Sequence, residues 1–257
     1  MDYLLVAIAS LLGAGLTLFS GFGLGTLLLA VLVFFFPPGI AVVVTAVVHF
    51  LNNAFKFVLL GRYANIAVVL RFGVPAILGA WLGAHSLALL IDLPAIRTYS
   101  IGDHEHVITP VKIAIGSLLM VFAFLELVPL ARLASIPSRH LPLGGFLSGY
   151  FGGLSGHQGA LRSMFLVKSD LTKESFIATG VVIALLVDVT RLSTYFSQLR
   201  EFNWGDNATL ISLATVSAFV GSFIGSRLLH KVTLKFIQRL VAILLTLISL
   251  GLLSGIL

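Results

Sequence analysis

Three groups of polar residues stand inside an otherwise apolar chain, and their types suit the handling of a small charged molecule. In "LLVDVTRLSTYF", Asp188, Arg191 and Tyr195 recur at i, i+3 and i+7, on one face of a helix. In "VHFLNNAFKF", His49, Asn52, Asn53 and Lys56 fall at i, i+3, i+4 and i+7 and make a second such stripe. In "SGYFGGLSGHQGALRSM", residues 148–164, glycines crowd around His157-Gln158, and Arg162 follows. Helix-start N–H groups, a guanidinium and side-chain donors together favour an anion. Asp188, His49 and His157 are the groups able to carry a proton. No nucleophile, base and orienting residue fall into a catalytic pattern, so no enzyme is expected. The chain has no P-loop, so ATP is not the expected energy source.

These groups need a scaffold, and composition names the medium it stands in. Of 257 residues, 58% are hydrophobic and only 10% charged, against roughly 25% charged in soluble domains. The mean hydropathy is +1.09. This is the composition of a polytopic membrane protein. The net charge of +6 fits Lys- and Arg-loaded cytoplasmic loops, so it does not imply a nucleic-acid partner. The absence of Cys removes disulfides and thiolate metal sites. The opening "MDYLLVAIAS" lacks the basic region of a signal peptide, and the first segment is expected in the mature chain.

A full crossing takes about 20 apolar residues. Residues 40–60, 65–91, 107–128, 175–199, 208–230 and 234–256 meet that length. Two regions do not. Residues 3–36 are interrupted by "SGFGLG" at 20–25, and residues 141–167 by "GGLSGHQG". The pieces after the breaks, 26–36 and 160–167, reach only roughly 17 Å and 12 Å as helices. The two halves also match. At an offset of 134, Gly15 meets Gly149, Gly25 meets Gly159 and Thr45 meets Thr179. At an offset of 142, Gly79 and Gly83 meet Gly221 and Gly225. Each half runs as one broken segment followed by three long spans.

Loop charge orients the halves. If each broken segment returns to its starting side, one face collects Arg62, Arg71, Arg132, Arg139, Lys168, Lys173, Arg227, Lys231, Lys235 and Arg239. The other face then keeps Arg97, Lys112 and Arg200. That asymmetry follows the positive-inside rule, whereas single crossings split the charges almost evenly. The expectation is an all-α polytopic membrane protein of two inverted-topology repeats, each a Gly-broken helix hairpin followed by three transmembrane helices. Within one integral-membrane domain, residues 1–106 form the hairpin and two long spans of the first repeat. Residues 107–137 supply its closing helix and a linker, and 138–257 form the second repeat. Both termini are expected outside the cytoplasm, and residues 92–106 are expected as an extracytoplasmic loop. Inverted repeats with discontinuous helices are the mark of secondary transporters.

A charge at the bilayer centre costs about 2.5–3.5 kcal/mol, so Arg162, Asp188 and Arg191 each require an offset. Two readings of the Asp188–Arg191 pair stand, a structural ion pair or a coupling site. Lys56 either joins the polar stripe or snorkels to the cytoplasmic surface. His49 reads as a hydrogen-bonded packing residue or as a ligand. Gly79, Gly83, Gly221 and Gly225 read as close helix packing. The tips are different, because unwound backbone inside a membrane survives only where it lines a cavity or is buried in protein. Gly156, His157, Gln158, Gly159 and Arg162 of the second break, with Ser20, Gly23, Gly25 and Thr26 of the first, are therefore expected to converge on a small anion near the midplane. His49, Asn52, Asn53 and Arg191 are expected to join them as binding residues, with Asp188 as the proton-coupling group.

The duplicated Gly-rich segments "SGFGLG" and "GGLSGHQG", each followed by a small-residue/Thr element ("VVVTAVV", "FIATGVV"), resemble the TauE/SafE family over nearly the whole chain. This group contains sulfite exporters and sulfonate permeases. The resemblance implies transport of a small sulfur oxyanion or organosulfonate across the cytoplasmic, inner membrane. A run of Gly-x-Gly-Gly-Gly followed by proline is usual in that family. Here the first copy reads "GFGLGTLLLA" without a proline, and the second carries His157-Gln158. Those tip residues are expected to set substrate choice.

The leading expectation is a secondary transporter for sulfite or a short organosulfonate, working without a cofactor, as a monomer or homodimer in the lipid bilayer. A transporter of a non-sulfur organic anion and a membrane scaffold for another complex are the alternatives. The "DHEH" cluster at 103–106 reads as solvated loop residues, because no spaced partner completes a metal-ligand set. No metal is expected.

Overall fold

The computed structural model describes residues 2–20, 24–127, 136–167, 169–196, 200, 202–228 and 234–257. Among the described residues, two short-legged pairs, six long helices and a small β-hairpin carry the fold. Helix α1 (Asp2–Ser20) is followed by α2 (Leu24–Leu32), α3 (Pro38–Leu60) and α4 (Ile66–Ile91). Two strands, β1 (Arg97–Ile101) and β2 (His104–Ile108), precede α5 (Pro110–Leu127). The second half repeats the order with α6 (Leu141–Ser155), α7 (Gly159–Leu166), α8 (Lys173–Thr194), α9 (Trp204–Leu228) and α10 (Leu234–Ser254). Among the described residues, the helices covering Pro38–Tyr63, Ile66–Ile91, Lys173–Thr194 and Trp204–Gly225 are long and apolar enough to cross a membrane. The chain is a helical membrane protein.

Local sequence explains most boundaries. Pro38 opens α3, where its missing N–H costs nothing. Thr172 caps α8 by accepting the Ser175 N–H at 3.2 Å, with Glu174 in the positive first turn. Half-helix α2 stops at Leu32, short of the expected 36, because Pro37 and Pro38 disfavour helix in the residues before them. Inside α4 the ladder widens to a π-turn over Val69–Gly73. Pro75 follows directly and has no N–H to return to the Arg71 carbonyl, which is where such a widening belongs.

The connection at 92–106 is not an open loop. Residues 97–108 form an antiparallel hairpin in which Arg97 pairs with Ile108 and Ile101 with His104. The turn places Gly102 at φ +60°, a conformation that glycine adopts without strain. The Tyr99 hydroxyl donates to the Ser254 carbonyl, and Lys112 Nζ donates to the Val107 carbonyl at 2.7 Å. The hairpin is thereby tied to the end of α10. The all-α expectation holds for the body of the protein and fails at this one connection, because backbone pairing satisfies more polar groups than an unpaired loop.

Packing couples the halves reciprocally. Helix α1 lies parallel to α9, with Gly221 against the Leu11 carbonyl and Gly225 against Gly15. Helix α6 lies parallel to α4, with Gly145 against Phe72, Gly149 against Ala76 and Gly153 against Ala80. At each of these α6 contacts a Cβ would collide with a neighbouring carbonyl, and Gly79 and Gly83 meet the α6 backbone the same way. The small-residue spacing is therefore helix packing, the close approach that replaces the hydrophobic effect inside a bilayer. The corresponding long helices run antiparallel to one another. His49 of α3 meets Asp188 of α8, while Asn65, beyond the far end of α3, meets Thr179 near the start of α8. Likewise Lys112 meets Gly255 and Gly116 meets Ser249 along α5 and α10. Leu24, Leu28, Leu29, Val42, Leu119, Leu154, Leu245 and Leu252 fill the common core. Leu4, Val58, Leu89, Phe124 and Leu247 face outward, as lipid-facing positions do.

Candidate functional site

The two polar stripes of α3 and α8 face each other at the centre of the molecule. His49, Asn52, Asn53, Lys56, Asp188 and Arg191 are all buried. Asp188 is the hub. Its carboxylate lies 2.8 Å from His49 Nδ1 and accepts from Asn53 Nδ2 at 3.0 Å. Arg191 Nη2 and Nε donate to its other oxygen at 2.8 and 3.0 Å. These contacts account for the insertion cost of Asp188 and Arg191, since a buried pair is retained only when its remaining polar atoms are also satisfied.

The same stripe closes the end of a broken helix. Helix α6 ends at Gly156, whose φ of +84° turns the chain out of the helix. The last carbonyls of α6 then need donors. Arg191 Nη1 donates to the Gly152 carbonyl at 3.3 Å, and the Tyr195 hydroxyl donates to the Gly153 carbonyl. The i, i+3, i+7 pattern of α8 thus supplies one carboxylate for α3 and two donors for α6.

The three residues 156–158 form the tip between α6 and α7. The Ser148 hydroxyl donates to the Gln158 carbonyl at 2.9 Å and fixes the loop to α6. His157 directs Nδ1 at the Ser155 carbonyl, 3.0 Å away, and stacks on Phe122 of α5 with ring centroids 5.1 Å apart. The Arg162 N–H donates to the Gln158 carbonyl at 3.0 Å. The N–H groups of Gly159, Ala160 and Leu161 precede that first rung and point out of the helix start.

Several polar atoms at this tip are buried without a partner among the described residues. They are His157 Nε2, both amide atoms of Gln158, and Arg162 Nη1. Buried polar side-chain atoms are normally paired, and each exception calls for an explanation. The first break meets the second here. A Cβ at Gly25 would lie 3.2 Å from the Gly156 carbonyl and 3.7 Å from His49 Cδ2. Thr26 is buried one residue further along α2. Gly23 and the side chain of Ser20 lie outside the described residues.

Of the residues expected to form the site, Gly25, His49, Gly156, His157, Gln158, Arg162, Asp188 and Arg191 lie in one buried region. Asn52 reaches away from the tip toward α9. With its amide turned so that Nδ2 faces the Ser222 hydroxyl at 2.7 Å and the Ala218 carbonyl at 3.1 Å, Oδ1 accepts from Lys56 Nζ at 3.1 Å. Lys56 is buried and does not snorkel. The sequence reading missed Phe122, Ser148, Ser155 and Ser222. None stands in a polar stripe of its own, and only the fold brings them to the tip or to Asn52. The two Thr elements differ. Thr179 accepts the Asn65 N–H at 2.9 Å, whereas Thr45 Oγ1 has no partner among the described residues.

A family model described as sulfite exporter TauE/SafE matches residues 5–252. No curated protein and no solved structure matches the chain.

Proposed function

The chain belongs to the sulfite exporter TauE/SafE family, and on that premise we propose that it is a secondary transporter that carries a small sulfur-containing anion through a site at the Gly-rich tips. The observation that carries the reading is the set of buried atoms on His157, Gln158 and Arg162 that have no partner among the described residues. They stand at the start of α7, where helix N–H groups and the dipole favour negative charge. An oxyanion offers acceptors to Arg162 Nη1 and Gln158 Nε2, while a proton or a bridging water meets the Gln158 oxygen and His157 Nε2. Gly25, Thr26 and Gly156 would supply close backbone approach. Asn53 and His49 hold Asp188 in place, and Asp188 orients Arg191.

The helix directions support the inverted arrangement. Hairpin segments that return to their starting side make α3 and α8 antiparallel, and α5 and α10 as well. They also make α1 parallel to α9 and α4 parallel to α6. Single crossings would make the first two pairs parallel, against the contacts at His49–Asp188 and Gly116–Ser249. Inverted repeats with discontinuous helices at mid-membrane suit alternating access around a fixed site. In this arrangement both termini lie outside the cytoplasm.

A thermal-shift panel on detergent-purified protein tests the site. Sulfite, sulfate, thiosulfate, sulfoacetate, taurine, carboxylates and chloride are compared on wild type and Arg162→Ala. A ligand at 100-fold excess over Kd stabilises the folded state by about 2.7 kcal/mol. The expected outcome is selective stabilisation by sulfur anions that is lost in Arg162→Ala. A variant that binds as well as wild type removes Arg162 from the site.

A further inference from the structure

We infer that His157, with Gln158 beside it in the chain, makes the site select anions that carry a hydrogen-bond donor of their own, an acid proton or a hydroxyl, over anions that carry none. This rests on the anion-transport reading above and narrows its substrate class.

The hydrogen-bond roles of His157 follow from its contacts. Nδ1 lies 3.0 Å from the Ser155 carbonyl, which can only accept, so Nδ1 carries a proton. Ser155 Oγ, 3.2 Å from the same nitrogen, gives its own proton to the Phe151 carbonyl at 3.1 Å and therefore accepts as well. The ring stacks on Phe122, and among the described residues it pairs with no carboxylate. A second ring proton would bury a charge without a counter-charge, so the neutral tautomer holds and Nε2 is an acceptor. That nitrogen is buried with no partner among the described residues, in a residue only 3% exposed.

Gln158 makes the same demand. It is 1% exposed, and neither of its amide atoms has a partner among the described residues. The side chain lies against bare Gly152, where a Cβ would come 2.9 Å from Gln158 Cβ and 3.6 Å from Cδ. Whichever way the amide is turned, it presents one acceptor and one NH2 donor side by side. The unpartnered atoms of the tip are thus two acceptors, His157 Nε2 and Gln158 Oε1, and two donors, Gln158 Nε2 and Arg162 Nη1. An alkylsulfonate satisfies the donors and leaves both acceptors desolvated. A site with buried polar atoms rejects the analogue that leaves them unpaired. An anion with an O–H of its own answers both kinds of atom.

Equilibrium binding to the purified full chain tests this with two matched pairs, at one mildly acidic pH at which every probe is a monoanion. Hydrogensulfite is set against methanesulfinate, and hydroxyethanesulfonate against propanesulfonate. Each pair exchanges a hydroxyl for a methyl at constant charge. Wild type is expected to bind the hydroxyl member of at least one pair about tenfold tighter, the ratio one buried hydrogen bond supplies. The pair that discriminates tells whether the donor stands on the sulfur or on the carbon tail. His157→Phe keeps a ring for Phe122 but no ring nitrogen, and should bring that ratio close to one. His157→Gln keeps an amide oxygen as acceptor and should retain part of it. Wild-type ratios near one in both pairs, or a ratio unchanged in His157→Phe, overturn the inference and leave the anion site standing. If His157→Phe fails to fold, wild-type ratios near one still overturn it. Wild type that binds none of the four probes overturns the anion-site reading together with the inference.

Discussion

At the scale of single residues, Asp188 has the most dependents. It takes His49, Asn53 and Arg191 at once, and Arg191 in turn reaches the Gly152 carbonyl. Removing one partner of a buried pair costs about 3–5 kcal/mol, because the other charge is left uncompensated. Asp188→Asn and Arg191→Gln should each lower the detergent unfolding midpoint steeply. The double variant should lose less than the sum of the two, and the coupling is read from the four-member cycle. Strict additivity would show that the two side chains act independently. Gly156 poses a second residue-scale test. At φ +84° an alanine costs about 1–2 kcal/mol, and a Cβ there would also press on Arg191 Nη1, 3.0 Å away. Gly156→Ala should therefore reduce both stability and anion affinity, whereas Gly102→Ala in the β-hairpin turn should reduce stability alone. Equal affinities in the two variants would separate Gly156 from the site.

At the scale of elements, each broken helix is held by a long helix of the other half. Gly145, Gly149 and Gly153 present a bare edge of α6 to the carbonyls of Phe72, Ala76 and Ala80 in α4. A leucine at Gly149 has no room to enter, and overpacking of this kind costs about 1–3 kcal/mol or more. Gly149→Leu should reduce the yield of folded protein, and what folds should bind anions weakly because the His157–Gln158 tip shifts with α6. Leu143→Ala, on the lipid-facing side of the same helix, should leave both properties close to wild type. If the two substitutions behave alike, the α4–α6 contact does not position the tip.

At the scale of the whole molecule, the antiparallel α3–α8 pair separates the hairpin arrangement from a single-crossing one. Because the chain has no cysteine, a pair introduced at Asn65 and Thr179 gives a clean cross-linking readout. The Asn65 N–H lies 2.9 Å from Thr179 Oγ1, and the disulfide should form in membranes under mild oxidation. In a parallel arrangement that also pairs His49 with Asp188, the far end of α3, and Asn65 beyond it, would lie roughly 20 Å or more from Thr179, and no cross-link would appear. Reporter tags complete the test. Both termini should report outside the cytoplasm, and a cytoplasmic N-terminus would overturn the hairpin topology.

Much of this was legible in the chain itself. A bilayer imposes one length on every crossing, so apolar runs and their breaks located the helices to within a few residues. Helical periodicity placed Asp188, Arg191 and Tyr195 on one face, and the matched glycines pointed to a repeat. What sequence could not supply was the partner of each stripe. Periodicity fixes a face but not what meets it. Only packing made Asp188 the shared hub of α3 and α8, turned Arg191 and Tyr195 onto the carbonyls at the end of α6, and brought Gly25 beside Gly156. Lys56 shows the limit most clearly. A lysine near a helix end reads equally well as an interfacial anchor or as a buried cation. The choice was made through Asn52, which holds the Lys56 ammonium and itself meets Ser222 and Ala218 of α9, more than a hundred positions away.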